Sequence, residues 1–141
     1  MDDYKIKFVN DVAIVTVDIL VATHRDVKPF WDFLENKSIV DWDKIIIDIS
    51  FCTFIDSTFI GMIVKIFKIV NSRNGQVKLV YPESLAMNYL HSVGVTKMLD
   101  CFNDLTQALN SFDSNFPTRK ISFQEELSES WSEDSLKMKL G

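Results

Sequence analysis

The sequence predicts an α/β fold, with a mixed, mostly parallel sheet of about five strands packed against about four helices. Three observations carry that expectation. β-Branched runs alternate with segments whose apolar residues recur at helical spacing, in the order β-β-α-β-α-β-α-β-α, and such alternation builds parallel sheets through right-handed crossovers. The run Lys44-Ile45-Ile46-Ile47-Asp48-Ile49-Ser50 is almost continuously apolar, as a central strand is when both its faces are covered. Only Asn10 and Asp11 separate the first two runs, so these form a tight hairpin, the antiparallel exception.

The elements follow in order. Lys5 to Val9 and Val12 to Val17 are the hairpin strands, and Asp18 to Asp26 reads as a loop. Asp26 is placed to cap a helix carrying Val27, Phe30, Trp31 and Leu34 at i, i+3, i+4, i+7, with Pro29 in the first turn, where its missing N–H does least harm. Beyond the central strand, Phe51 to Asp56 connects to a long apolar helix, Ser57 to Arg73. Asn74-Gly75, suited to a left-handed C-cap, stops that helix. Gln76 to Tyr81 is a strand, and Pro82 opens a helix through Leu85, Met87, Tyr89 and Leu90 that ends at Gly94. Met98 to Phe102 is a short strand, after which Asn103 caps a helix with Leu105, Ala108, Leu109 and Phe112 on one face. The domain is expected over residues 1–116. Residues 117–141 are expected to be a polar tail, disordered or a short docked helix on the weak pattern Phe123, Leu127, Trp131.

Composition narrows the function. The chain has 141 residues, enough for one compact domain with a short appendage, and its net charge is −5. A nucleic-acid surface needs clustered Lys and Arg, which this chain lacks. The acidic start Met1-Asp2-Asp3-Tyr4-Lys5 is unlike a signal peptide. The longest oily stretch, Phe59 to Val70, is interrupted by Lys65 and Lys68 and is shorter than the ~20 residues a bilayer span needs. A cytoplasmic protein without membrane insertion is expected. Cys52 and Cys101 have no metal-ligand spacing and read as reduced, packed thiols. His24 and His91 lie in separate regions, and there is no phosphate-cradling Gly loop, no Gly-x-Ser-x-Gly elbow and no metal cluster. No catalytic activity and no cofactor are expected.

The informative segment runs from Ile45 to Met62. It reads as a buried strand, then a short loop ending in Asp56-Ser57, then a helix starting there, just past the carboxyl end of a central strand where open α/β sheets place their sites. On the helix, Thr58, Gly61, Lys65, Lys68 and Ser72 form a polar stripe, while Ile60, Ile63, Val64, Phe67 and Val70 turn inward. Phe59, Met62, Ile66 and Ile69 flank the stripe, either exposed for a partner or packed under loops.

This segment resembles the signature of the STAS domain family. There a hydrophobic strand ends in Asp, apolar, Ser and leads to Asp-Ser-Ser/Thr-Gly-x-Gly at a helix start. Asp48-Ile49-Ser50 and Asp56-Ser57-Thr58-Phe59-Ile60-Gly61 occupy those places, with Phe59 where the family's first Gly stands. Val93-Gly94-Val95-Thr96-Lys97-Met98 is similar to the family's turn before its last strand, and Asn103 to Leu109 to its closing helix. The resemblance implies a STAS fold over roughly residues 4–113.

It further implies an anti-sigma factor antagonist. Ser57 would be phosphorylated by a partner serine kinase that is also the anti-sigma factor, and reset by a PP2C-type phosphatase. Asp56, Ser57, Thr58, Gly61, Lys65 and Lys68 would form the docking surface of a monomer or weak homodimer. A helix N-terminus accommodates a phosphate through free N–H groups and the dipole, while the added charge beside Asp56 repels an acidic or apolar partner. Taken alone, Ser57 reads as an ordinary N-cap and Asp56 as an acid favoured at a helix start, and Thr58 is the nearest competing acceptor. The resemblance also allows a non-switching STAS adaptor or scaffold, such as a stressosome component or a transporter-associated subunit.

Overall fold

The computed structural model describes residues 2–82 and 94–112. In chain order their elements are β1 (Tyr4–Val9), β2 (Val12–Val17), β3 (Val21–Ala22), α1 (His24–Asn36), a 3₁₀ turn (Ile39–Asp41), β4 (Lys44–Asp48), β5 (Phe54–Ile55), α2 (Ser57–Asn71), β6 (Gln76–Val80), α3 (Val95–Met98), β7 (Asp100–Phe102) and α4 (Leu105–Asn110). The helix expected from Pro82 to Gly94 and the pattern Phe123, Leu127, Trp131 lie outside the described residues.

One five-stranded sheet has the order β1-β2-β4-β6-β7, with β1 antiparallel to β2 and every other pairing parallel. The mixed, mostly parallel sheet is therefore the predicted one. Asn10 turns the hairpin at φ 54°, a left-handed conformation Asn tolerates better than most side chains. In β4, Ile45, Ile46 and Ile47 are all buried, since helices cover both faces. Ala13, Val15, Val17, Ile45, Ile47, Val77 and Leu79 join Phe30 and Leu34 of α1 and Phe59, Ile63 and Phe67 of α2 in one core. The alternate residues Val12, Ile14, Ile46 and Val80 pack with Ala108 of α4 in a second, smaller one.

Several local expectations are corrected. Helix α1 begins earlier than Asp26 because Thr23 is its N-cap: Thr23 Oγ1 accepts the Arg25 N–H at 3.3 Å, and Asp26 Oδ2 accepts the Thr23 N–H at 2.9 Å. Pro29 consequently falls in the second turn. Asp104, not Asn103, caps α4, its Oδ1 accepting the Gln107 N–H at 3.0 Å. Met98 belongs to the one-turn helix α3, so the last strand is only Asp100–Phe102. β4 stops at Asp48, whose Oδ1 accepts the Ser50 N–H at 2.9 Å in an Asx turn. The expected loops Asp18–Asp26 and Phe51–Asp56 each contain a two-residue strand, β3 and β5, which pair in parallel as a separate ribbon.

The end of α2 divides two tasks between neighbours. Asn74 takes the left-handed conformation at φ 69°. Gly75 is needed for room, because a Cβ there would lie 2.5 Å from Val70 Cγ1 and 3.0 Å from the carbonyl oxygens of Asp43 and Val70.

Candidate functional site: two helix starts at one carboxylate

Past the carboxyl ends of β2 and β4, the ribbon of β3 and β5 carries the chain into α1 and α2, so the two helices start side by side. Leu20 O accepts the Thr53 N–H at 2.7 Å and the Phe54 N–H at 3.2 Å, while Ala22 O accepts the Asp56 N–H at 3.0 Å. These bonds fix the segment before α1 against the segment before α2.

Asp56 joins the helices themselves. It is the N-cap of α2, where its Oδ1 accepts the Phe59 N–H at 2.9 Å. Its Oδ2 accepts the N–H of His24, the first residue of α1, at 2.8 Å, and the His24 ring Nδ1 lies 3.7 Å from that oxygen. Both oxygens therefore receive donors that a helix start leaves unsatisfied.

With the cap made by Asp56, Ser57 is the first residue of α2 rather than its N-cap. Ser57 is exposed, and among the described residues its hydroxyl has no hydrogen-bond partner. Thr58 is exposed beside it. Gly61 and Lys68 are half-buried and Lys65 is exposed, its ammonium 5.2 Å from the centre of the Trp31 ring on α1. The geometry thus brings Asp56, Ser57 and Thr58 together at the helix start, with Gly61, Lys65 and Lys68 farther along α2.

Phe59 departs inward. It is fully buried and stacks on Phe30 of α1 with ring centres 5.4 Å apart. Met62 and Ile66 are buried as well, and Ile69 is half-buried, so the helix face flanking the polar stripe is largely core rather than partner surface. Cys52, in the loop before Ser57, is also core. Burial, and secondarily the negative charge of Asp48, raises its thiol pKa to about 12, which keeps it protonated and non-nucleophilic at neutral pH.

Sequence reasoning missed the apolar neighbours of the site. Leu20 is 67% exposed, Phe51 55%, Phe54 52% and Val21 52%, and Val21 is the register partner of Phe54. Their signal was present as large apolar residues inside two segments read as loops. Val21 and Phe54 thus expose an apolar pair on the ribbon that leads to Ser57.

The fold and site define an α/β domain that presents a free serine at a helix start beyond its sheet. A family model for the STAS domain matches residues 7–108. The chain belongs to the STAS domain family. Among solved structures it is similar to TM1081 of Thermotoga maritima, a protein assigned as an anti-sigma factor antagonist, at 22% identity and TM-score 0.69, covering 77% of this chain and 92% of that one. An anti-sigma factor antagonist from Mycobacterium paratuberculosis matches at 15% identity and TM-score 0.67, covering 77% and 91%. The anti-sigma factor antagonist SpoIIAA in its unphosphorylated form matches at 13% identity and TM-score 0.60, covering 77% and 95%, and the Bacillus protein is also solved phosphorylated. No curated protein sequence matches. No helix among the described residues is long and apolar enough to cross a membrane.

Proposed function

We propose that the chain is an anti-sigma factor antagonist switched by phosphorylation of Ser57. The observation that carries this reading is the division of labour at the start of α2: Asp56 makes the cap, which leaves the exposed Ser57 hydroxyl free. In the unphosphorylated state the domain holds a partner serine kinase, which is also the anti-sigma factor, through Asp56, Ser57, Thr58, Gly61, Lys65 and Lys68. The exposed pair Val21 and Phe54 on the ribbon before α2 extends that docking surface. The switch acts by binding rather than by turnover.

A phosphate on Ser57 sits at the positive end of α2, so the fold accommodates it. It also brings a charge near −2 beside Asp56 and next to apolar side chains, which opposes docking by like-charge repulsion and by desolvation. A PP2C-type phosphatase then restores the binding form. SpoIIAA, solved with and without its phosphate, offers the parallel.

The test is incubation with a serine kinase of histidine-kinase fold and ATP, with phosphate mapped by mass spectrometry. Wild type takes up one phosphate, on Ser57. Ser57→Ala takes up none, and Ser57→Asp loses kinase binding. Equal labelling of Ser57→Ala, or wild-type binding by Ser57→Asp, rules the switch out.

A further inference from the structure

We propose that α1 supplies half of the docking surface, and that Trp31 of α1 and Lys65 of α2 form one subsite for an acidic surface of the partner kinase. The subsite rests on the reading of α2 as the docking helix. To that reading it adds a second helix, a binding residue on it and the charge of the partner.

Two printed contacts align the helices. At their starts, the His24 N–H lies 2.8 Å from Asp56 Oδ2. Farther along, the Lys65 ammonium lies 5.2 Å from the centre of the Trp31 ring. Trp31 follows His24 by seven residues and Lys65 follows Asp56 by nine, advances of roughly 11 and 14 Å along the two helices. α1 and α2 therefore run side by side in the same direction, with Phe30 stacked on Phe59 between them. Trp31 belongs to the α1 stripe His24, Lys28, Trp31 and Glu35, spaced i, i+4, i+7, i+11. Lys65 belongs to the polar stripe of α2, where Gly61 adds no side chain between Thr58 and Lys65. The two stripes meet where Lys65 reaches Trp31.

The charges on this face choose the partner. Lys28 is neutralised by Asp32 at 2.9 Å, and Glu35 closes the α1 stripe at its far end. Among the described residues, Lys65 and Lys68 make no ion pair, so two cations of α2 await a carboxylate in a chain whose net charge is −5. The Trp31 ring holds the Lys65 ammonium over its face, so less side-chain freedom is lost when a partner binds. A fixed cation beside a half-buried indole suits a carboxylate on an apolar stem. Such a partner is repelled directly by a phosphate on Ser57.

Calorimetric binding of the full chain to a serine kinase of histidine-kinase fold tests the subsite. Trp31→Leu and Lys65→Met should each weaken binding roughly tenfold. The double variant should bind about as well as the weaker single one, because both changes remove the same subsite. Wild-type affinity should fall with added salt, and less steeply in Lys65→Met. Losses that add in the double variant, or wild-type affinity in either single one, overturn the shared subsite. An affinity that does not fall with salt overturns the acidic partner. Lys65→Met alters only an exposed side chain, so it decides the matter even where Trp31→Leu lowers stability. Phosphate on Ser57 with wild-type binding by both variants removes the subsite and leaves the switch standing. Binding that depends on Trp31 and Lys65, with no phosphate on Ser57, does the reverse, and a chain that does not bind the kinase at all overturns both.

Discussion

Asp56 Oδ2 accepts the backbone N–H of His24 at 2.8 Å, so the N-cap of α2 also satisfies the first turn of α1, 32 residues earlier. The bond runs to the backbone of residue 24, so it does not depend on the imidazole. It links the loop before Ser57 to a helix anchored in the core through Phe30 and Leu34. Ser57 therefore sits at a rigid junction rather than on a free loop.

Asp56→Ala removes two caps at once. At about 1 kcal/mol for each satisfied helix-start donor, the loss of stability should be about 2 kcal/mol. Asp56→Asn should lose roughly half of that, because an amide oxygen can still accept from Phe59 while the amide nitrogen cannot accept from His24. Urea midpoints at constant slope measure both. Equal stability of the Asn and Ala variants would show that the link to His24 contributes nothing.

Phe59 stands where the family signature has glycine, and its ring fills the space between α2 and α1 against Phe30. Restoring the signature should be harmful. Phe59→Ala is expected to cost about 3–5 kcal/mol through the cavity it leaves. Phe59→Gly should cost about 1 kcal/mol more, from the poor helix propensity of glycine. Thermal or urea unfolding decides the matter, and a Phe59→Gly protein as stable as wild type would show that the ring is not a core element.

Gly75 yields a smaller, local prediction. The added methyl of Gly75→Ala meets Val70 Cγ1 at 2.5 Å and two carbonyl oxygens at 3.0 Å, so the turn between α2 and β6 must shift. Overpacking of this kind costs about 1–3 kcal/mol. Asn74→Gly changes the residue that holds the positive φ and should cost far less. A larger loss from Asn74→Gly than from Gly75→Ala would contradict this assignment.

The strands and long helices were legible because burial imposes a period. The continuous Ile45-Ile46-Ile47 run and the stripe of α2 left no competing reading, and the sheet they specify is the one observed. Capping was harder. Asp26 and Thr23 form a reciprocal pair, and sequence alone favoured the acid although the hydroxyl is the cap. At Asp56-Ser57 the roles ran the other way, with the acid as cap and the hydroxyl free. The ribbon of β3 and β5 escaped because two residues cannot show a period, and its pairing arises from main-chain bonds between segments more than 30 residues apart. The exposed pair Val21 and Phe54 was missed for the same reason.

Cys52 and Tyr4 together predict how stability responds to alkali. The Cys52 thiol, held by burial and then by the nearby Asp48 charge, titrates at about 12 in the folded protein, against about 8.5 in an unfolded chain. The Tyr4 hydroxyl, raised mainly by burial and then by Asp26, also moves to about 12, from about 10. Both groups are neutral when protonated, and the folded state keeps its protons to higher pH than the unfolded state does. Their contribution is therefore fully present below the unfolded values and is lost as pH rises toward the folded ones. Between roughly pH 8.5 and 10 only Cys52 should contribute to this loss, with Tyr4 joining above that. Cys52→Ala should thus lower stability at pH 7.5 through lost packing, yet show a flatter decline from pH 8.5 to 10 than wild type. Urea midpoints across that range read the difference. Parallel declines in the two proteins would mean that the Cys52 thiol does not couple to folding, and rapid labelling of Cys52 by a thiol reagent at pH 8 would contradict its burial directly.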